Sequence, residues 1–340
     1  MNSAQTEKEY YHEIDLLYAF GAILAILGHS HPNDWDIFPG QWVEFIYLFH
    51  MPLFFGIAGF LLASSRGVNR LGYSRWLSEK ALRLLTPYFV LSLATLAPKY
   101  ALEYGGFTGF TPQYLLTAFF VPRQNVWGHF WFLPVLFFMY AAFGVLQRVE
   151  NFPCEEKFPQ YCLLTLPIAI FLHFIKPNIG WLGITDICDF SIYFLLGYTL
   201  FQILSRRKNV YPSYGYILFA GIALTATFCL WKYTPWSRFR DFCLAILMLG
   251  CTYMISCFMK NRKTPVLDFI ARYVFTFYIY SWPAQAIVER LCSHYGAPWT
   301  LTTPLMFAAG LLCPAIIILT YHKCTFLHCR FVDLVLGMRR

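Results

Sequence analysis

The chain has 340 residues, of which 58% are hydrophobic and 13% charged, whereas soluble domains carry roughly 25% charged residues. This composition excludes an ordinary soluble domain and indicates an integral membrane protein. The formal net charge is +8, but no basic run with interleaved aromatic residues indicates binding to nucleic acid.

Ten apolar segments recur along the chain and are its predicted membrane spans. Several are shorter than the roughly 20 residues that a lone helix needs to cross a bilayer, so neighbouring helices would have to shield them. The absence of a long hydrophilic insertion predicts one all-α domain over 1–340, with no appended soluble domain and no cleavable secretory signal. The segments are 16–30, 42–63, 84–98, 130–147, 161–175, 187–204, 212–231, 242–259, 266–288 and 301–321.

The positions of Lys and Arg predict the orientation of these spans. If the N-terminus is cytoplasmic, eighteen of the 26 basic residues lie on that side, seven lie on the other side, and Arg272 lies inside the ninth segment. Because cytoplasmic loops carry an excess of Lys and Arg, both termini are predicted to be cytoplasmic in a multi-pass plasma membrane protein. The eleven cysteines lie mostly in spans, which favours reduced packing residues, and their spacing predicts no metal site.

The first span, "EIDLLYAFGAILAILGHSH", carries ionisable residues at both ends. At about 100° per residue, the fourteen steps from Asp15 to His29 return to within about 40° of the same helix face. Tyr18, Ala22 and Ala25 fall near that stripe, which could line a narrow groove from the cytoplasmic side. The alternative is that Asp15 caps the helix start and His29 ends the helix at the wet interface.

Two further histidines are expected near the depth of His29. His50, in "LFHMPLFFGIAGFLL", lies a turn or two below the outer surface in the second span, and His129, in "GHFWFLP", opens the fourth. Ionisable groups inside a membrane are costly and by default mark a function. We therefore interpret the three imidazoles as a cluster, the alternative being three unrelated interfacial histidines.

Basic residues near the cytoplasmic ends of two spans form a second group. Lys80 and Arg83 are three residues apart and share a helix face. Arg272 is about six residues inside the ninth segment. Such cations suit a polyanionic ligand such as a nucleotide diphosphate, although topology alone would also explain Lys80 and Arg83.

Five stretches in this order and spacing resemble the membrane-bound acyltransferase 3 family, especially its fucose 4-O-acetylase-like and polysaccharide O-acetyltransferase members. They are "IDLLYAFGAILAILGHSH", "FHMPLFFGIAGFL", "EKALRLLTPY", "HFWFLPVLF" and "IARYVFTFYIYSWP". The resemblance implies a ten-helix membrane protein that transfers an acyl group, usually acetyl, from cytoplasmic acyl-CoA to a sugar hydroxyl on the other membrane face. Residues 150–260 contribute little to it beyond hydropathy.

The resemblance also implies roles near the donor. His29 matches the family's essential histidine, and Asp15 matches its acid near the start of the first helix. Lys80 and Arg83 occupy the basic positions of an Arg-x-x-Arg motif, with lysine in place of the first arginine. Tyr18 departs from the family, which usually has Arg or Lys at that position.

Near the acceptor, His129 and Trp131 stand in the fourth-helix motif of the family. Arg272, Tyr278 and Trp282 fall in its ninth-helix motif. Ser281 stands where many members have histidine. Trp35 and Trp127 lie near the predicted outer mouth, where their rings could stack on sugars.

From these residues we predict an O-acyltransferase whose partners are acetyl-CoA as donor, a cell-surface or periplasmic glycan as acceptor and the lipid bilayer. His29 would act as a general base, with His50 or His129 orienting it or polarising the carbonyl; an acyl-histidine intermediate is the other route. The donor nucleotide would contact Lys80, Arg83 and Arg272. The alternatives are a transporter or flippase and a non-catalytic acyl-CoA-binding subunit, and the oligomeric state, a homodimer included, is left open.

Overall fold

The protein is described by a computed structural model. The described residues are 11–31, 41–65, 67–104, 106, 111–150, 160–204, 214–324 and 328–338, and within them the regular structure is entirely helical. The α-helices are α1 (His12–Gly28), α2 (Gln41–Ser64), α3 (Gly67–Leu71), α4 (Tyr73–Tyr104), α5 (Pro112–Phe120), α6 (Phe132–Glu150), α7 (Gln160–Ile175), α8 (Ile184–Leu204), α9 (Tyr214–Tyr233), α10 (Arg238–Met259), α11 (Pro265–Arg272), α12 (Val274–His294), α13 (Trp299–Lys323) and α14 (Arg330–Leu336).

Six of the described helical segments are long and apolar enough to cross a membrane. They lie in α2, α4, α6 with the short turn before it, α8 with the turn before it, α10 and α13. The other four predicted segments also fall in helices, namely α1, α7, α9 and the pair α11 and α12. The all-α membrane class is thus confirmed, whereas ten spans and cytoplasmic termini remain predictions.

Close contact between α2 and α8 forms the centre of the bundle. A β-carbon on Gly59 would lie 1.9 Å from the carbonyl oxygen of Phe194, and one on Gly197 would lie 1.8 Å from the carbonyl oxygen of Gly56. Glycines therefore let the two backbones touch, as small residues do in membrane helix packing. This contact fixes α2, and with it His50, relative to α8.

An aromatic core fills the space beside this contact. Phe55 of α2 stacks on Phe190 of α8 with ring centroids 4.9 Å apart and contacts Phe132 of α6 edge-on at 4.9 Å. Trp131 packs on Phe190 at 5.5 Å. These rings join α2, α6 and α8 around the start of α6, where His129 lies.

The ninth predicted segment is two helices instead of one. Tyr273, with φ −111° and ψ 21°, separates α11 from α12. Arg272 therefore ends the short helix α11 and is exposed. Its predicted position deep inside a continuous span was wrong, because the helix breaks directly after it.

The end of the chain packs back onto the start of α12. Tyr321 donates to the Asp333 carboxylate at 2.5 Å, and Tyr280 donates to the carbonyl of Val335 at 3.0 Å. Gly337, at φ +73°, lies so close to Phe275 that a β-carbon there would be 2.8 Å from its ring. Helix α14 thus covers the same end of the bundle as α11.

Candidate active site

One cavity of about 390 Å³ lies between α1, α2, α6, α8 and α12. His29, His50 and His129 all line it, together with Ala22 and Ala25 of the first helix. The structure therefore brings the three predicted histidines together, and the small residues of the α1 stripe face the same space. The cavity is within the range of about 300–1,000 Å³ that is typical of small-molecule sites.

His29 is the residue that ends α1, with φ −90° and ψ −1°. Its Nδ1 lies 3.1 Å from the hydroxyl of Tyr47 on α2, and the same hydroxyl donates to the carbonyl of Gly28 at 3.1 Å. Tyr47 also lines the cavity. Sequence analysis missed it, because a tyrosine in an apolar helix has the same pattern as an ordinary interface aromatic.

A second set of hydrogen bonds fixes the end of α1 from the side of α12. The amide of Gln285 donates to the carbonyl of Ile26 and to the hydroxyl of Ser30, both at 2.7 Å. Ser30 in turn donates to the Ile26 carbonyl at 2.6 Å. Because Gln285 and Ser30 are buried, these bonds are protected from water and hold His29 in place.

His50 is buried in α2 and faces its own preceding turn. Its Nδ1 lies 3.1 Å from the carbonyl of Ile46. A carbonyl can only accept, so Nδ1 carries the proton and Nε2 is left with a lone pair. The ring packs on Tyr47 with centroids 5.0 Å apart, so Tyr47 contacts both His50 and His29.

His129 lies in a short 3₁₀ turn, Gly128–Trp131, just before α6. Both of its ring nitrogens are buried and make no hydrogen bond of good geometry within the described part of the chain, although the backbone of Ile279 lies close to the ring. The ring is held instead by Trp282 at 5.2 Å and Tyr278 at 5.5 Å. Buried polar atoms are normally paired, so this imidazole keeps hydrogen-bonding capacity for a ligand in the cavity.

Most of the predicted acceptor-side residues lie at this cavity. Trp131, Tyr278, Ser281 and Trp282 line it. Trp127 is not a lining residue but contacts Trp282 edge-on at 5.5 Å. Trp35 lies outside the described residues.

Arg123 is a lining residue that sequence analysis counted only as a loop charge. Its guanidinium stacks on Trp131 at 3.9 Å and pairs with the buried carboxylate of Asp186 at 2.6 Å. Among the described residues it is the one Lys, Arg, Asp or Glu side chain that lines the cavity. Its place depends on the loop before α6, which residue periodicity cannot predict.

The five predicted donor-side residues do not line the cavity. Tyr18 reaches its edge, since it packs at 6.3 Å on Phe54, which is a lining residue. Asp15 lies in the first turn of α1, and Arg272 is exposed at the end of α11.

Lys80 and Arg83 are held by aromatic rings at the same end of the bundle. Lys80 lies 4.5 Å from the ring of Tyr140, and Arg83 lies 5.6 Å from the ring of Phe275. Phe275 stacks in turn on the lining residue Tyr278 at 6.3 Å. The structure therefore places the basic group outside the cavity, and Phe275 connects Arg83 to the cavity lining.

Together these side chains form a mostly apolar pocket with three imidazoles in its lining. A histidine whose other nitrogen is held by a hydroxyl can remove a proton from an alcohol, and an unpaired imidazole can donate to or accept from a reacting group. The geometry is therefore suited to proton transfer during attack by a hydroxyl.

Comparison with known proteins gives four findings. A family model described as an acyltransferase domain matches residues 11–319. The chain is 23% identical to Nodulation protein NolL of Mesorhizobium japonicum over 327 residues, which are 86% of this chain and 82% of that protein. It is 24% identical to Nodulation protein NolL of Sinorhizobium fredii over 222 residues, 64% of this chain and 55% of that protein. No solved structure matches the chain.

Proposed function

Since the chain belongs to the acyltransferase 3 family, we propose that it transfers an acetyl group from cytoplasmic acetyl-CoA to a glycan hydroxyl across the membrane. The family match establishes an acyltransferase, and the apolar helices establish a membrane protein. The CoA donor, the glycan acceptor, the bacterial inner membrane and the histidine base are our proposal.

The single observation that supports this mechanism best is the shared position of His29, His50 and His129 in one cavity. The three residues come from α1, α2 and the turn before α6, so only the fold brings them together. A cavity with a mostly apolar lining also keeps water from an acyl thioester, which reduces hydrolysis of the donor.

The chemical step that we propose is direct transfer. Nε2 of His29 takes the proton of the acceptor hydroxyl while that oxygen attacks the thioester carbonyl carbon. The C–O bond forms, the C–S bond breaks, and the thiolate of CoA leaves and receives the proton. His129, whose nitrogens are unpaired, would donate to the carbonyl oxygen as it gains negative charge, and such donors stabilise a transition state by several kcal/mol.

The donor nucleotide would bind at the end of the bundle that carries Lys80, Arg83 and Arg272. Guanidinium and ammonium groups bind phosphate oxygens through charge-assisted hydrogen bonds. Since these residues lie outside the cavity, only the acyl end of the donor would enter it, past Tyr18 and Ala22. Tyr18 supplies no charge there, so binding of the donor phosphates would depend on Lys80, Arg83 and Arg272.

The acceptor would approach from the side of Arg123 and the tryptophans. Trp131 and Trp282 line the cavity, and indole rings offer flat apolar faces with a polar edge, suited to sugar rings. The cavity that the histidines line would then be the place where donor and acceptor meet.

Radiolabelled acetyl-CoA tests this function. Membranes containing the protein, supplied with [¹⁴C]acetyl-CoA and a glycan extract, should move label into the glycan fraction and release free CoA. Membranes without the protein are the control. Label that remains on CoA while the glycan is transported unmodified would contradict the proposal and indicate a transporter.

A further inference from the structure

All four carbonyls of the last turn of α1 have identified hydrogen-bond donors. Ala25 and Leu27 accept from the backbone amides of His29 and Ser30 at 3.0 Å. Ile26 accepts from the Ser30 hydroxyl and the Gln285 amide. The carbonyl of Gly28 accepts from Tyr47, which is its donor within the described residues.

The position of the Tyr47 proton follows from this pattern. A phenol has one proton, and the hydroxyl of Tyr47 lies 3.1 Å from both the Gly28 carbonyl and Nδ1 of His29. A carbonyl left without a donor away from water is costly, whereas a histidine nitrogen can either donate or accept. The proton therefore goes to Gly28, and the phenol oxygen accepts a hydrogen bond from Nδ1–H.

We infer that Tyr47 is a positioning residue that keeps neutral His29 in the Nδ1–H tautomer, with the lone pair on Nε2. This inference rests on the proposed function, in which that lone pair takes the proton of the acceptor hydroxyl. Nε2 has no hydrogen-bond partner among the described residues, so it is available to a substrate. In the other tautomer Nε2 would carry a proton and could not act as a base.

In enzymes that use a nucleophile and a histidine base, a third group hydrogen-bonds to the histidine and orients it. Tyr47 has this third role toward His29. Here the third group is a neutral phenol instead of a carboxylate. Because α1 ends at His29, no following helical turn can hold the ring, and the partner must come from α2. His50 does not fill this role, since its Nδ1 bonds to the Ile46 carbonyl of its own helix, whereas Nδ1 of His29 meets the Tyr47 hydroxyl.

Tyr47→Phe is the direct test, because it removes one hydroxyl and keeps the ring that contacts both imidazoles. Tyr88→Phe is the matched control: Tyr88 is buried and donates to the Phe119 carbonyl at 2.9 Å, away from the cavity. We expect Tyr47→Phe to lower kcat by about 10- to 100-fold, somewhat less than loss of a general base, with KM for acetyl-CoA unchanged. Tyr88→Phe should leave both constants close to wild type.

Nitrogen-15 NMR of histidine-labelled protein in lipid reads the tautomer directly. At about pH 8, above the ordinary histidine pKa of about 6.5, wild-type His29 should show a protonated Nδ1 and an unprotonated Nε2. The His29 signal is assigned by its loss in His29→Gln. In Tyr47→Phe we expect a mixture of tautomers, whereas an unchanged Nδ1–H signal with full kcat would overturn the inference.

Gly28→Ala gives a second test from the other side of the contact. A β-carbon there would lie 2.9 Å from the ring of Tyr47, so it should push the phenol away and reproduce the tautomer mixture without changing the tyrosine. A wild-type tautomer in both Gly28→Ala and Tyr47→Phe would overturn the role of Tyr47. Full activity of His29→Gln would instead overturn the proposed function, so the two failures are distinguishable.

Discussion

The hydroxyl of Tyr278, on α12, donates a hydrogen bond to the main-chain carbonyl of His129. This bond joins the ninth-helix motif to the fourth-helix motif at the wall of the cavity. The imidazole of His129 has no hydrogen bond of its own in the described structure. Its position therefore depends on that main-chain bond and on the rings of Tyr278 and Trp282.

Tyr278→Phe should consequently impair both stability and catalysis. The orphaned carbonyl should cost about 1–3 kcal/mol of unfolding free energy, while the looser imidazole should lower kcat by about tenfold, within the range for a misplaced catalytic group. Tyr280→Phe is the control, because its hydroxyl also donates to a carbonyl, that of Val335, outside the cavity. Thermal unfolding in detergent and acyl-transfer rates measure the two effects; equal rates in both variants would contradict a catalytic role of His129.

The contact between α2 and α8 leaves no room for a methyl group. Gly59→Ala or Gly197→Ala would place a β-carbon under 2 Å from a backbone atom, so the helices must separate. We expect a loss of more than about 3 kcal/mol of unfolding free energy, beyond the usual range of overpacking. Gly221→Ala in α9, where the new carbon meets nothing within 4 Å, should be nearly neutral. Urea or thermal unfolding compares them, and a stable Gly59→Ala protein would show that the helices pack differently.

Arg83 should contribute to donor binding if the nucleotide lies at its end of the bundle. Arg83→Gln keeps most of the side chain and removes the charge, and loss of a charged hydrogen bond costs about 1.5–3 kcal/mol, so KM for acetyl-CoA should rise by roughly tenfold or more. Arg75→Gln, eight residues earlier and largely exposed, is the control. An unchanged KM in both variants would move the nucleotide site elsewhere.

An ion pair at the start of α1 predicts a pH dependence of stability. Nε2 of His12 lies 2.8 Å from the carboxylate of Asp268 on α11. The hydrogen bond with His12 is the main cause that lowers the pKa of Asp268 below 3.8. Burial opposes the charge on His12, but the bonds to Asp268 and to the Lys260 carbonyl raise its pKa above 6.5 overall.

The sign follows from these two shifts. The contribution of Asp268 is present above about pH 4 and is lost as pH falls through its lowered pKa; that of His12 is present below about pH 6.5 and is lost as pH rises through its raised pKa. Asp268→Asn should therefore lower the melting temperature most between about pH 4 and 6.5, and less at about pH 8.5. A difference that is constant over this range would show that the pair is not charged in the folded protein.

Sequence periodicity predicted the α1 residues that line the cavity better than it predicted the residues around the cavity. Ala22, Ala25 and His29 share a helix face by simple geometry, and all three line the cavity. The same stripe fails at Tyr18, which does not line the cavity and packs instead on the ring of Phe54. A helical wheel describes the faces of one helix, whereas the extent of a cavity depends on side chains from neighbouring helices.

The missed residues share a physical reason. Tyr47 matters through one hydroxyl at the end of another helix, and Arg123 matters through a loop that folds onto Trp131. Both contacts are tertiary, so no spacing along the chain indicates them. The break at Tyr273 was missed for a similar reason, since the segment around it is mostly apolar apart from Asp268 and Arg272 and continues the pattern of a single span.

The transfer rate of a His29 variant tests the central role of the cavity most directly. Purified protein in lipid vesicles is mixed with [¹⁴C]acetyl-CoA and acceptor glycan, and the first turnover is followed for wild type, His29→Gln and the control His294→Gln, an exposed histidine at the end of α12. We expect His29→Gln to lose at least about 100-fold in rate, as loss of a general base does, and His294→Gln to match wild type. A His29→Gln protein that still transfers acetyl at the wild-type rate would contradict the account.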